Sequence, residues 1–159
     1  MWVCAHTPMR CVYNVTGRAP YDPLLIIAQM CVLQTAFYFV AVGLVALLDT
    51  AAQRPVCLWC MFAPTHMSVW APRGRALLVA YVVAAIACTL LLPVAGVRAR
   101  RCWDFVGTVY VLHLALCWWL GGWPHWGAWW YCNMPCCTAS IFAGEYLCMR
   151  VELRDIQRM

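Results

Sequence analysis

The sequence predicts an all-α membrane protein, a bundle of four transmembrane helices with both termini in the cytosol. The chain is 65% hydrophobic and only 11% charged, whereas a soluble domain has about 45–50% apolar and about 25% charged residues. Its apolar residues also stand in long unbroken blocks rather than at a helical or strand period, which indicates helices surrounded by lipid. The uneven distribution of its arginines gives the orientation.

Four apolar blocks approach or exceed the roughly 20 residues that a membrane-spanning helix needs. They are residues 24–48, 76–97, 105–123 and 128–149. The first two contain no charged residue, the third contains His113, and the fourth contains one acid, Glu145. The alternation in segments of about 10 residues that marks a membrane barrel is absent. The predicted organisation is a cytosolic tail at 1–20, a transmembrane domain at 21–153 and a second cytosolic tail at 154–159.

Every basic residue other than histidine is an arginine, and the arginines divide unequally between the two sides of the predicted bundle. One side holds Arg10, Arg18, Arg98, Arg100, Arg101, Arg150, Arg154 and Arg158, and the other holds Arg54, Arg73 and Arg75. The positive-inside rule places the richer side, which includes both termini, in the cytosol. The net charge of +5 thus reflects membrane orientation rather than nucleic-acid binding, which needs a continuous basic face.

Polar residues collect near the predicted cytosolic edge of the bundle. At 1.5 Å of rise per residue, Gln29, Tyr110 and Glu145 fall at a similar depth inside the membrane. The residues expected at the headgroup level are Asp22, Asp104 and Arg150, with Asp22 suited to cap the first helix ahead of Pro23. An acid inside a span is costly enough to be paired or functional. This layer either fixes the helices against one another or forms a cytosolic docking cleft for a partner helix.

Small residues recur every fourth position in two of the predicted spans, which lets helices approach closely. The two stripes are Ala76, Ala80, Ala84 and Cys88 in the second span, and Ala128, Cys132, Cys136, Ser140, Gly144 and Cys148 in the fourth. Tryptophans 118, 119, 123, 126, 129 and 130 are expected to anchor the far membrane interface. His113 is expected to be a neutral hydrogen-bonding residue between helices.

The only cysteines predicted to face the oxidising side are Cys57 and Cys60, a CxxC pair in the first loop. Such a pair is typical of a membrane thiol-disulfide oxidoreductase, which would also need a second loop pair that the last loop lacks. A zinc site with His66 has only three ligands where a structural site needs four. A loop disulfide or two free thiols are the simpler interpretations, and no hydrolytic motif occurs. A small transporter using Glu145 and His113 should show an inverted repeat, and none is visible.

Three blocks of the sequence together resemble the SYS family of Golgi integral membrane proteins. They are YDPLLIIAQ at 21–29 with LQT at 33–35 and LLD at 47–49; RCWDF at 101–105 with Thr108, His113 and CW at 117–118; and GEYLCMRVEL at 144–153. The third block is the most specific. The blocks keep the family's order and cover roughly two thirds of the chain, whereas the CxxC pair and the many tryptophans of the first loop depart from the family.

The resemblance implies a function as a receptor in the trans-Golgi membrane. Members recruit an Arf-related, Arf-like small GTPase whose acetylated N-terminal amphipathic helix carries no lipid chain, and this leads to tether recruitment and endosome-to-Golgi traffic. We therefore expect a non-enzymatic protein without cofactor or metal. The residues expected to fix the cytosolic end or to bind the partner are Asp22, Gln29, Asp104, Tyr110, His113, Glu145 and Arg150.

Overall fold

The structure, a computed structural model, describes residues 23–124 and 127–157, and every regular element in them is helical. The long helices are α1 (Pro23–Ala51), α2 (Pro72–Val94), α3 (Cys102–Gly121) and α4 (Gly127–Gln157), and single 3-10 turns lie at Trp59–Met61, Pro64–His66 and Ala99–Arg101. The all-α class predicted from the sequence is confirmed.

Three helical segments in the described part of the chain are long and apolar enough to cross a membrane. They are Pro23–Ala51, Pro72–Val94 and Ala99–Gly121. The fourth helix, α4, is the longest at 31 residues, and it contains Glu145 and the charged segment that follows the apolar block. The fourth span and the cytosolic placement of both termini stay predictions.

Several helix ends differ from the predicted span limits by two residues or more, and two of them have a clear physical reason. α2 ends at Val94, three residues before the predicted limit, because Gly96 takes a left-handed conformation with φ of 73°. The Val97 N–H then donates to Leu92 O and the Gly96 N–H to Pro93 O, both at 3.2 Å, which is the Schellman arrangement. α4 instead continues to Gln157, past the predicted limit at residue 149, because hydropathy marks the edge of the lipid and not the end of the helix.

The helices form a ring in the order α1, α2, α4, α3, with α3 closing onto α1. Consecutive helices α2 and α3 therefore lie diagonally across the bundle. α1 contributes one buried side chain per turn, namely Leu33, Phe37, Ala41, Val45 and Asp49. This narrow stripe leaves most of the α1 surface for lipid.

Both small-residue stripes predicted from the sequence contribute buried residues, and the small-residue stripe of α4 lies against α2. Ala80 and Ala84 of α2 are buried, as are Ser140, Gly144 and Cys148 of α4. A Cβ atom placed on Gly144 would lie only 2.5 Å from Leu92 Cδ1. The two helices therefore meet at a distance that only a small residue permits.

The bundle has two chemically different ends. The loop end consists of residues 49–75, 121–124 and 127–130. The arginine end consists of residues 94–104, where α2 passes into α3, and residues 145–157 of α4. The predicted orientation places the arginine end in the cytosol.

Candidate docking site at the arginine end

Gln29 binds the end of a neighbouring helix. Its Nε2 atom donates to Ala95 O at 2.8 Å, and Ala95 is the C-cap residue of α2. The last carbonyls of a helix have no partner within that helix, so Gln29 supplies one from α1. This contact ties α1 to the arginine end of α2.

Tyr110 and His113 lie in the interior of the bundle. Tyr110 lines a cavity of about 10 Å³ together with Ser140 and residues of α1 and α2. His113 is fully buried, and its Nδ1 lies 3.2 Å from Tyr38 Oη, with Cys117 Sγ 3.5 Å from its Nε2. The predicted hydrogen-bonding role of His113 between helices is thus met by Tyr38 of α1.

The charged candidates lie at the surface instead. Asp104 is exposed in the first turn of α3, where a carboxylate complements the helix dipole. Arg150 is exposed, donates to Tyr146 Oη, and holds its guanidinium carbon 4.9 Å from the centre of the Tyr146 ring. Glu145 is exposed and has no hydrogen bond or ion pair to any described residue.

The seven candidate residues do not form one connected layer. Within the described residues, no hydrogen bond joins any two of them, and Asp22 lies outside those residues. Gln29, Tyr110 and His113 make contacts between helices, whereas Asp104, Glu145 and Arg150 present their polar groups at the surface. The structure thus separates residues suited to holding the bundle together from residues suited to meeting a partner.

Two contacts that the sequence reasoning missed connect α4 to the α2–α3 connection and to the start of α3 at the arginine end. Glu152 Oε1 accepts a hydrogen bond from Ala99 N at 3.0 Å, which fixes the α2–α3 connection to α4. Cys102 and Cys148, both buried, place their sulfur atoms 3.4 Å apart. Glu152 comes seven residues after Glu145, two turns later and close to the same face of α4, so helical periodicity could have found it.

A line of exposed apolar side chains follows α4 along its outward side. This α4 stripe consists of Phe142, Tyr146, Met149, Leu153 and Ile156, which are 68%, 50%, 44%, 59% and 68% exposed. Its members are four, three, four and three residues apart, the spacing with which one helix packs along another in a coiled coil. Leu153 and Ile156 lie beyond the predicted span, in the charged final turns of the helix.

The loop end holds its charged residues differently. Asp49 is only 1% exposed, and its Oδ1 lies 3.8 Å from Arg73 Nε. Arg73 also donates to Pro55 O at 2.7 Å, so that it ties the end of α1 and the first loop to the start of α2. In the sequence, Asp49 stood out only as the last residue of the LLD match at 47–49.

The CxxC pair of the first loop is closed. Cys57 and Cys60 form a disulfide, which agrees with the simplest interpretation of the pair and leaves neither thiolate to bind zinc. Cys57 is half-buried and Cys60 is buried. The pair therefore fits a structural disulfide in the loop.

The tryptophans of the last loop divide between surface and core. Trp118, Trp119 and Trp123 are exposed, as expected for interfacial anchors, but Trp129 is buried. The Trp129 ring stacks on His113 with 6.0 Å between ring centres. The predicted aromatic belt thus extends partly into the core, and Trp126 lies outside the described residues.

The fold and this end of the molecule define a class of protein: a polytopic helical membrane protein with a charged, partly apolar surface at one end. The family model of SYS1, described as "Integral membrane protein S linking to the trans Golgi network", matches residues 16–158. The chain therefore belongs to the SYS1 family, whose members are integral membrane proteins linked to the trans Golgi network.

Named relatives agree with the family match. The chain is 30% identical over 136 residues to a protein SYS1 homolog of Dictyostelium discoideum, covering 86% of this chain and 59% of that protein. It is 29% identical over 137 residues to a protein SYS1 homolog of Nematostella vectensis, covering 86% of this chain and 87% of that protein. The chain thus spans less than two thirds of the length of the Dictyostelium relative. No solved structure matches the chain.

Proposed function

We propose that this protein is a non-enzymatic receptor in the trans-Golgi membrane that recruits an Arf-related small GTPase for endosome-to-Golgi traffic and tether recruitment. In this proposal α4 crosses the membrane as the fourth span, both termini are cytosolic, and the arginine end faces the GTPase. The α4 stripe is the observation that carries the proposal. Membership of a family linked to the trans Golgi network supports the location.

The α4 stripe has the shape that a partner helix requires. An amphipathic helix buries an apolar face, and the three-and-four spacing of the stripe offers a matching seam. Leu153 is 59% and Ile156 is 68% exposed, beyond the predicted span, so a cytosolic partner can reach them. Exposed apolar side chains in a line, bordered by charges, are typical of an interaction surface.

The chemistry of the partner explains why such a surface is needed. An amphipathic helix without an attached lipid chain binds membranes weakly and reversibly. Contacts with the α4 stripe would strengthen this weak membrane binding and would restrict it to the membrane that contains this protein. Glu145, exposed and without a described partner beside the stripe, supplies an acid for a basic residue of the incoming helix.

The test is the location of the GTPase in cells that lack this protein. Restoring the unchanged chain should return the GTPase to the trans-Golgi, whereas the double variant Leu153→Ser with Ile156→Ser should not. The matched control is Val151→Ser, because Val151 is also exposed but lies about 200° around the helix from Leu153. The variants should themselves reach the Golgi, since Leu153, Ile156 and Val151 are all exposed.

Two results would contradict this proposal. The GTPase could remain at the Golgi in cells without the protein, which would remove the receptor function. Alternatively, the double variant could restore recruitment as well as Val151→Ser does, which would show that the α4 stripe does not bind the GTPase.

The alternative from another class is a membrane thiol-disulfide oxidoreductase that uses Cys57 and Cys60. The disulfide between them fits this activity as well as it fits a structural bond, but the last predicted loop has no second cysteine pair to pass the oxidation on. Quinone reduction that depends on the two cysteines would support the enzyme.

A further inference from the structure

An open groove runs between α2 and α4 on the flank of the bundle. Its volume is about 290 Å³. The α2 wall includes Ile86 and Leu90, the α4 wall includes Ala139, Ala143 and Leu147, and Thr89 and Ser140 lie at its floor. Ile86 and Leu90 are more than half exposed, so the groove opens to the surroundings of the bundle, which at this depth are lipid chains.

The groove is a long apolar channel. Its α4 wall extends from Cys136 to Leu147, a rise of roughly 16 Å. An extended hydrocarbon chain lying along this length would contact both α2 and α4.

The groove ends at a group of arginines. Residues 143, 147, 150 and 154 are four, three and four apart, so Arg150 and Arg154 continue the groove wall of α4 into the arginine end. Each of these four residues comes one position after a member of the α4 stripe, so the two rows lie about 100° apart around the helix. Arg150 comes three residues after Leu147, roughly 5 Å further along the axis.

The α2–α3 connection adds further positive charge to the same end. The Ala99 N–H is bound to Glu152 of α4, and the exposed Arg98 and Arg100 flank Ala99 in the sequence. Because Glu152 lies about 200° around the helix from Arg154, this connection meets α4 on the side away from the groove, where it adds positive charge to the same headgroup level. Exposed arginines at the level of the headgroups attract anionic lipid.

We infer that this groove binds one anionic glycerophospholipid, with an acyl chain between α2 and α4 and its phosphate held by Arg150 and Arg154. The apolar groove and the adjoining positive charge match the two parts of such a molecule, and basic pockets between transmembrane helices bind anionic headgroups. The site adjoins the α4 stripe through Arg150, whose guanidinium lies over the Tyr146 ring, so Arg154 is the principal ligand expected for the phosphate. It does not depend on the GTPase.

The experiment measures lipids retained by the full chain in native mass spectrometry, after reconstitution with phosphatidylcholine and phosphatidylserine. The unchanged chain should retain phosphatidylserine preferentially. Arg154→Gln should lower that affinity about fivefold. Adding Arg150→Gln should lower it by a smaller further factor, because the Arg150 guanidinium already lies over the Tyr146 ring. Retention of phosphatidylcholine should not change.

A double variant tests the groove itself. Ala139→Leu with Ala143→Leu fills the groove and should reduce retention of both lipids. The controls are Ala115→Leu, an exposed alanine on α3, and Arg75→Gln, an exposed arginine at the opposite end of the bundle. Neither control should alter retention.

Three results would overturn the inference. The unchanged chain could retain the two lipids equally, or the preference could survive both arginine changes. The filled groove could also retain lipid as the unchanged chain does. A disulfide-linked dimer through Cys136 in native membranes would place a second copy of the chain on the groove and would equally refute a lipid there.

Discussion

The two ends of the bundle differ in the exposure and pairing of their acidic side chains. At the loop end, Asp49 is 1% exposed and pairs with Arg73 over 3.8 Å. At the arginine end, Asp104 and Glu145 are exposed, and Glu145 has no partner among the described residues. A buried charge needs a partner for the protein to be stable, whereas an exposed charge costs little and remains available. The loop end is therefore suited to hold the helices rigidly, whereas the arginine end has exposed acids that a partner can contact.

The largest effect is expected at the loop end, where one partner of a buried pair is removed. Arg73→Gln leaves the Asp49 carboxylate buried, and its oxygens accept no hydrogen bond within the described residues. The free energy of unfolding should fall by about 3–5 kcal/mol. Unfolding of the purified chain in mixed detergent micelles measures this loss.

The matched control is Asp49→Asn, which removes the buried charge itself. Arg73 is 29% exposed and retains its bond to Pro55 O, so it remains partly solvated without the acid. This variant should therefore cost less stability than Arg73→Gln. An equal or larger cost for Asp49→Asn would mean that the buried carboxylate does not govern this end.

A smaller effect is expected from two acids of the arginine end that share one face of α4. Glu152→Ala removes the acceptor for the Ala99 N–H and should cost about 1.5–3 kcal/mol, as for other hydrogen bonds to charged groups. Glu145→Ala should change stability by less than about 0.5 kcal/mol, because no described contact is lost. The same unfolding measurement compares the two.

Recruitment of the GTPase should separate these two acids in the other direction. If Glu145 meets the partner, Glu145→Ala weakens recruitment in a chain that is as stable as the unchanged one. A Glu145→Ala chain that unfolds readily would instead show that this acid holds the helices together. A stable chain with full recruitment would leave Glu145 reaching to the lipid headgroups.

The smallest effect on function is expected from the disulfide of the loop end. Replacing Cys57 and Cys60 by Ser should leave recruitment of the GTPase unchanged, because the pair lies at the opposite end from the α4 stripe. Localisation of the GTPase in cells that express only this variant measures the effect. Loss of recruitment, or quinone reduction by the unchanged chain alone, would move the functional site to the loop end.

Much of this arrangement could be predicted from the sequence. Composition and the unbroken apolar blocks predicted the helical class, and the small-residue stripes of α2 and α4 indicated residues that are buried in the bundle. Depth along a helix was also predictable, because the rise per residue is fixed. Gln29, Tyr110 and Glu145 were grouped on depth alone, without regard to the side of the helix on which each one lies.

The remaining features depend on direction around the helices and on which helices are neighbours. Glu145 lies on the exposed side of α4, and its place near the membrane edge gave no sign of that. Asp49 continues the buried series Leu33, Phe37, Ala41 and Val45, which an entirely apolar block did not reveal, and its partner Arg73 lies beyond a long loop. A pairing across such a loop requires the tertiary structure.

The diagonal placement of α2 and α3 has a consequence for biosynthesis. The first two helices pack on each other and complete a hairpin as soon as both have left the ribosome. α3 then enters the membrane with only a minor contact to α1, because its main neighbour, α4, has yet to be made. We expect α3 to be the helix that depends most on membrane insertion factors. Its polar His113 can meet Tyr38 of α1 at once, and Trp129 covers its remaining side when α4 arrives.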